Sequence, residues 1–202
     1  MGAKRPIRIV VLGAPKVGKT AITVRYLTHR FIGEYSSRTD AVYKHTANIG
    51  GEKTELEILD TCKSSMERRE GDGYLVVFSV TEPSSLAAAA GILAGLPQAR
   101  PVLLLANKID LEHARKINYS SFHRSVSLRA ALELSVVAGC SYLEVSASSS
   151  AMDRGGIPLA FAAVASKAKP VSPLRAAIRA LAALLSYRKV YHHRRPSEVK
   201  WK

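Results

Sequence analysis

Gly13-Ala14-Pro15-Lys16-Val17-Gly18-Lys19-Thr20 fits the spacing G-x-x-x-x-G-K-[ST], and its flanks give that spacing a structural meaning. Before it, Ile7-Arg8-Ile9-Val10-Val11-Leu12 is a short apolar run rich in β-branched residues, the pattern of a strand. After it, the pattern of Ala21, Ile22, Val24 and Leu27 turns helical. In a strand, glycine loop and helix joined in this order, successive backbone N–H groups and a helix N-terminus can wrap phosphate oxygens. Gly13, Ala14, Pro15, Lys16, Val17, Gly18, Lys19, Thr20 and Ala21 are the candidate contacts. Lys19 can reach the outer phosphates and the Thr20 hydroxyl can ligate Mg²⁺. Lys16 also reads as a plain solvated charge.

Working outward, Thr54 to Asp60 alternates polar and apolar, as a strand with one wet face does, and Ala41 to Ile49 fits its hairpin partner through Gly50-Gly51. Tyr74 to Val80 and Val102 to Ala106 are unbroken apolar runs, expected of strands buried on both faces of a parallel sheet. Ser85 to Leu96, Val126 to Val137 and Ile157 to Ala168 read as helices, and Tyr142 to Val145 as a last strand. Strands alternating with helices predict an α/β, doubly wound fold: a mostly parallel sheet with one antiparallel hairpin strand and helices on both faces. Its ligand site belongs beyond the carboxyl ends of the strands.

The 202 residues carry 30 Lys+Arg against 16 Asp+Glu, a formal charge of +14, on a chain that is 47% hydrophobic. That apolar share excludes wholesale disorder, and the length suits one domain plus a tail. Cys62 and Cys140 lie far apart outside any CxxC pattern, which supports neither a disulfide framework nor a zinc site. No stretch approaches the roughly 20 apolar residues of a membrane span. Pro6 stands where an N-myristoylation motif wants Ser or Thr, and the C-terminus offers no prenylatable Cys. The expectation is an intracellular protein of the cytoplasm, with the nucleus open. Charge is uneven, since the residues from Lys167 onward sum to +9 and the remainder to +5. Pro170 and Pro173 punctuate the junction, giving a domain over 5–168 and a basic tail over 169–202.

A phosphate loop alone chooses no base. Asn107-Lys108-Ile109-Asp110 follows directly on the run Val102 to Ala106. A carboxylate at Asp110 can accept both guanine N1–H and the exocyclic amine, which adenine does not offer in that arrangement. Discrimination by unmatched polar groups reaches about 10⁴. Asn107 can brace the loops, and the aliphatic stem of Lys108 can cover the base.

In their order, these motifs resemble the Ras superfamily of small GTPases over about residues 6 to 168. The resemblance adds Phe31-Ile32-Gly33-Glu34-Tyr35, Asp60-Thr61 at a strand end, and Glu144-Val145-Ser146-Ala147. Val17 to Ala21, Arg25 to Tyr35 and Gly139 to Ser146 look most like the unprenylated estrogen-regulated growth-inhibitor and Ras-like branch. The resemblance implies the G domain of a P-loop NTPase, with GTP or GDP and Mg²⁺ bound. It also implies a small monomeric GTPase served by an effector, an exchange factor and an activating protein that the sequence does not identify. By the same resemblance Phe31 flanks the guanine edge, Ser146 and Ala147 contact the base, and Asp60 holds Mg²⁺ through water. Phe31 also reads as a core aromatic beside a loop, and Ser146-Ala147 as an ordinary strand end.

The chain departs from the family at both switches. The threonine of switch I that ligates Mg²⁺ falls on Arg38, with Thr39 one residue late. Loop slack can bring Thr39 to the metal and leave Arg38 beside the phosphates as an arginine finger, or Arg38 is a solvated side chain. In switch II the family's Asp-x-x-Gly-Gln reads Asp60-Thr61-Cys62-Lys63-Ser64, so Ser64 stands where a glutamine orients the attacking water. Only twelve residues separate Asp60 from Gly73, which marks a shortened switch II. Pro15 removes one N–H from the cradle, and Leu111 to Arg124 reads as an insertion. Lys19, Arg38 and Ser64 are thus the candidate catalytic positions, and slow hydrolysis is expected because phosphoryl transfer depends mainly on positioning and electrostatics.

In the tail, Leu174, Ile178, Leu181 and Leu185 form an apolar stripe with Arg175 and Arg179 off it. Such a helix suits an anionic membrane, a calmodulin-like groove or the chain's own domain. Tyr187 to Arg195 also suits RNA or a nuclear-import receptor. Three functions stand at this point: a guanine-nucleotide switch with slow hydrolysis, a nucleotide-stabilised scaffold presenting the tail, and a nucleic-acid adaptor resting on charge.

Overall fold

The computed structural model describes residues 5–33, 39–62, 70–111, 126–149, 153 and 155–168. In chain order these form β1 (Ile7–Gly13), α1 (Lys19–Thr28), β2 (Ala41–Ile49), β3 (Glu52–Asp60), β4 (Gly73–Ser79), α2 (Pro83–Ala94), β5 (Val102–Asn107), α3 (Leu128–Val137), β6 (Ser141–Glu144) and α4 (Gly156–Ala168). Arg38, Ser64, the insertion beyond Leu111 and the tail stripe lie outside the described residues.

The strands make one six-stranded sheet in the order β2-β3-β1-β4-β5-β6. β1 pairs parallel with β3 and β4, β4 with β5, and β5 with β6, while β2 runs antiparallel to β3. The fold is therefore mixed α/β with a mostly parallel sheet and a single antiparallel hairpin, as expected. The connection reverses direction across β1, so the crevice beyond its carboxyl end is where such a sheet accepts a ligand.

The period of two along β1 explains its unbroken apolar run. Ile7, Ile9 and Val11 join a core with Ile22 and Tyr26 of α1 and Phe161 and Val164 of α4. Val10 and Leu12 face the other way, into a core with Ile92 and Leu93 of α2 and Ala131 of α3. Tyr26 and Phe161 stack at 4.0 Å between ring centroids, pinning α1 to α4.

Element ends shift from the sequence expectation for identifiable reasons. α2 begins at Pro83, two residues early, because proline's fixed φ suits the first helical turn. α3 begins at Leu128, two residues late, because Ser127 caps it by accepting the Ala130 N–H at 3.1 Å. At the end of the sheet away from the loop, Asp72 accepts both Arg5 guanidinium nitrogens at 2.9 and 2.8 Å and the Arg8 N–H at 3.0 Å. This ties the start of β1 to the approach to β4. No described helix is long and apolar enough to cross a membrane.

Candidate functional site

The loop after β1 closes around residues that a larger side chain would displace. Gly13 has φ 148°, and a Cβ there would collide with the Val77 carbonyl oxygen. Gly18, the N-cap of α1, has φ 99°, and a Cβ there would collide with the Asn107 amide nitrogen. Lys19 opens α1 only 6% exposed, its Nζ donating to the carbonyls of Gly13 at 3.0 Å and Ala14 at 2.9 Å. The ammonium is thus drawn across the mouth of the loop. Pro15 and Lys16 are exposed at its tip, Val17 is buried, Ala14 and Thr20 are half-buried, and Ala21 packs into the core.

Asn107 joins two loops. Its Nδ2 donates to the Val17 carbonyl at 2.9 Å and its Oδ1 accepts the Ala147 N–H at 3.2 Å. Lys108 lies across the same gap and donates from Nζ to the Lys16 carbonyl at 2.8 Å. Both Lys108 (φ 68°) and Lys16 (φ 62°) are left-handed, a conformation non-glycine residues keep only where the surroundings enforce it. Burial pushes the Lys108 ammonium below its ordinary pKa, against the opposing charges of Asp110 and Glu82. Asp110 accepts the Ser146 hydroxyl at 2.7 Å, and Ser146 is wholly buried.

The residues present fit a magnesium ion beside Thr20. Asp60, at the end of β3, is 4% exposed, and its Oδ1 has no hydrogen-bond partner among the described residues. Burial pushes its carboxyl above the ordinary range. The Thr20 hydroxyl and the Lys19 charge oppose that rise, and the Asp40 charge adds to it. A buried carboxylate oxygen beside a hydroxyl is a hard oxygen pair of the kind Mg²⁺ takes, and Asp60 and Thr20 would hold the ion there to offset phosphate charge. Thr39 is exposed at the start of the hairpin. Phe31, 45% exposed, follows the end of α1 and does not join the core, which removes its plainer reading.

The β1 loop, Asn107 to Asp110, and Ser146-Ala147 therefore meet at one end of the sheet. The family model for the Ras family matches residues 8–169. The chain belongs to the Ras family. Among similar proteins, Ras-like protein family member 11A-like of Danio rerio is 36% identical over 132 residues, 55% of this chain and 52% of that one. Ras-like protein family member 11B of Mus musculus is 32% identical over 163 residues, covering 72% and 62%. Ras-related and estrogen-regulated growth inhibitor-like protein of Bos taurus is 31% identical over 165 residues, covering 73% and 76%. The chain thus spans 52% and 62% of the two Ras-like relatives. These similarities place it in the estrogen-regulated growth-inhibitor and Ras-like branch that the motifs resemble.

Three carboxylates at structural junctions carry no motif in the sequence. Asp40 accepts the Cys62 N–H at 2.8 Å, joining the start of the hairpin to the segment after Asp60. Asp72 joins the strand starts, and Asp153 sits behind Ser146. Asp153 alone has a local signal, an acidic residue just before the apolar positions of a helix.

Proposed function

We propose that this Ras-family chain is a guanine-nucleotide-binding signalling switch whose intrinsic hydrolysis of GTP is slow. The observation that carries the reading is Asn107, whose side chain ties the phosphate loop to the Ser146-Ala147 loop and so assembles one cup from three distant motifs. The loop after β1 and the first turn of α1, Gly13 to Ala21 with Lys19 among them, receive the phosphates, and the Asp110 carboxylate receives the guanine edge. Lys108 covers one face of the base, with Phe31 at the rim. Thr20, Asp60 through water, and Thr39 would hold Mg²⁺, which neutralises phosphate charge when bound.

Lys19 shifts from its carbonyl partners to phosphate oxygens as nucleotide enters, exchanging neutral acceptors for charged ones. Slow turnover follows from residue types: Lys63 and Ser64 replace the glycine and glutamine of switch II, so no glutamine orients the attacking water. The same replacements favour a second reading, a hydrolysis-deficient scaffold in which the domain over 5–168 presents the tail over 169–202 to a membrane, RNA or a protein. Either form acts as a monomer inside the cell, with an effector, an exchange factor and an activating protein as partners of the switch.

The nucleotide carried by purified protein, followed by single-turnover hydrolysis, tests both readings. Bound GDP with measurable turnover supports the switch, and bound GTP that persists supports the scaffold. Absence of guanine nucleotide, with binding unchanged in Lys19→Ala, overturns both. Arg38→Ala with a rate loss of about 10³-fold and unchanged binding identifies an arginine finger in cis, and an unchanged rate removes that role.

A further inference from the structure

Behind Asp110, the described residues Ser146, Ser149 and Ile157 are joined through one residue, Asp153. Ser146 Oγ has one proton to give and two lone pairs. The Ser149 N–H donates to it at 2.9 Å, so the hydroxyl accepts on that side and its proton must go elsewhere. Asp110 Oδ1 stands at 2.7 Å and Ser148 Oγ at 3.3 Å. The shorter, charge-assisted bond takes the proton. The position of Asp110 therefore depends on how Ser146 is held.

Asp153 holds it from both sides. Its N–H donates to the Ser149 carbonyl at 2.9 Å. Its carboxylate accepts the Ser146 N–H at 3.4 Å and, through both oxygens, the Ile157 N–H at 3.2 Å. The circuit Asp153–Ser149–Ser146–Asp153 is closed, and its outlet is the Ser146 proton on Asp110. Gly156 makes room for it, since a Cβ there would lie 3.3 Å from Asp153 Oδ1 and 3.2 Å from Val145 Cγ1. The carboxylate also faces the first turn of α4, where helix N–H groups favour negative charge.

We propose that Asp153 is a positioning residue for base selection, setting the Ser146 hydroxyl that holds Asp110 toward the guanine edge. This rests on the guanine-nucleotide reading above and deepens it. Asp153 touches neither base nor phosphate and acts through Ser146. A residue that only caps α4 changes folding stability and leaves the preference between bases alone, which is how the two roles separate.

Inosine diphosphate lacks the 2-amino group that Asp110 is placed to accept. In calorimetric titrations of the full chain with GDP and with inosine diphosphate, Asp153→Ala should lower the affinity ratio by about tenfold, the worth of one hydrogen bond to a charged group. Asp153→Asn keeps an acceptor oxygen and should retain most of the ratio. Gly156→Ala leaves Asp153 in place but crowds its carboxylate, and should lower the ratio in a protein that still folds. A lowered melting temperature with an unchanged ratio in Asp153→Ala overturns the proposal and leaves a cap. If that variant does not fold, the ratio in Gly156→Ala decides: lowered supports the proposal, unchanged overturns it. A wild-type chain that does not prefer GDP to inosine diphosphate overturns the guanine reading itself. A strong wild-type preference that survives the variants overturns only the role of Asp153.

Discussion

Asn107 and Val17 are 90 residues apart in sequence, yet the Asn107 amide donates to the Val17 carbonyl at 2.9 Å. That bond fixes the phosphate loop against the end of β5, and it leaves no room at the intervening Gly18. Gly18→Ala meets both a left-handed φ and the Asn107 amide nitrogen. The substitution should destabilise the fold by about 1–3 kcal/mol and weaken GDP binding. Thermal unfolding and calorimetry on the variant check this, and wild-type values for both would show that the loop and Asn107 move apart freely.

What was legible in the sequence was what is local. The phosphate loop, the Asn107 to Asp110 turn and the paired runs of the hairpin carry their spacing within a few residues, and alternation between two cores explains the unbroken runs in β4 and β5. Apolar periodicity misses the starts of α2 and α3 by two residues, because a proline in a first turn and a serine cap outweigh it at helix ends. Asp40 and Asp72 were invisible because their partners lie 22 and 64 to 67 residues away, where no spacing rule reaches. Asp153 had its helix-start signal, but its link to Ser146 exists only once β6 and α4 are packed.

Asp110 accepts the Ser146 hydroxyl, which leaves carboxylate capacity for a base edge. Asp110→Asn should therefore move preference from guanine toward xanthine, because an amide donates to the 2-oxo group that a carboxylate repels. Competition between GDP and xanthosine diphosphate reads the change. Equal preference in wild type and variant would remove Asp110 from base selection.

Asp72 makes stability depend on acid. Burial alone would push its carboxyl up, but the Arg5 guanidinium, the Arg8 N–H and the charge of Arg100 together hold it below its ordinary value of 3.8. A carboxyl whose folded pKa is depressed stabilises the fold above its unfolded pKa, and that contribution is lost as pH falls through the folded value. Asp72→Asn should be less stable than wild type at neutral pH by about 1–3 kcal/mol. The gap should narrow as pH drops below 3.8. Urea unfolding across that range measures it, and a gap independent of pH would mean that packing, not ionisation, sets the contribution of Asp72.

The residues from Lys167 onward carry a net charge of +9, a property of composition alone. Each Lys or Arg near an anionic surface contributes about 1 kcal/mol, falling off within a Debye length, so engagement of only four or five gives reversible attachment without lipid. The full chain should sediment with phosphatidylserine-containing vesicles at low salt and release as salt rises. Deleting residues 173 to 202 should abolish the binding. Insertion of Leu174, Ile178, Leu181 and Leu185 should leave a remainder that salt does not remove, since burial of apolar area is insensitive to screening. A deletion variant that sediments as well as the full chain would rule out the tail as the membrane contact, and the basic segment Tyr187 to Arg195 would then be tested against RNA, where binding should weaken steeply with salt.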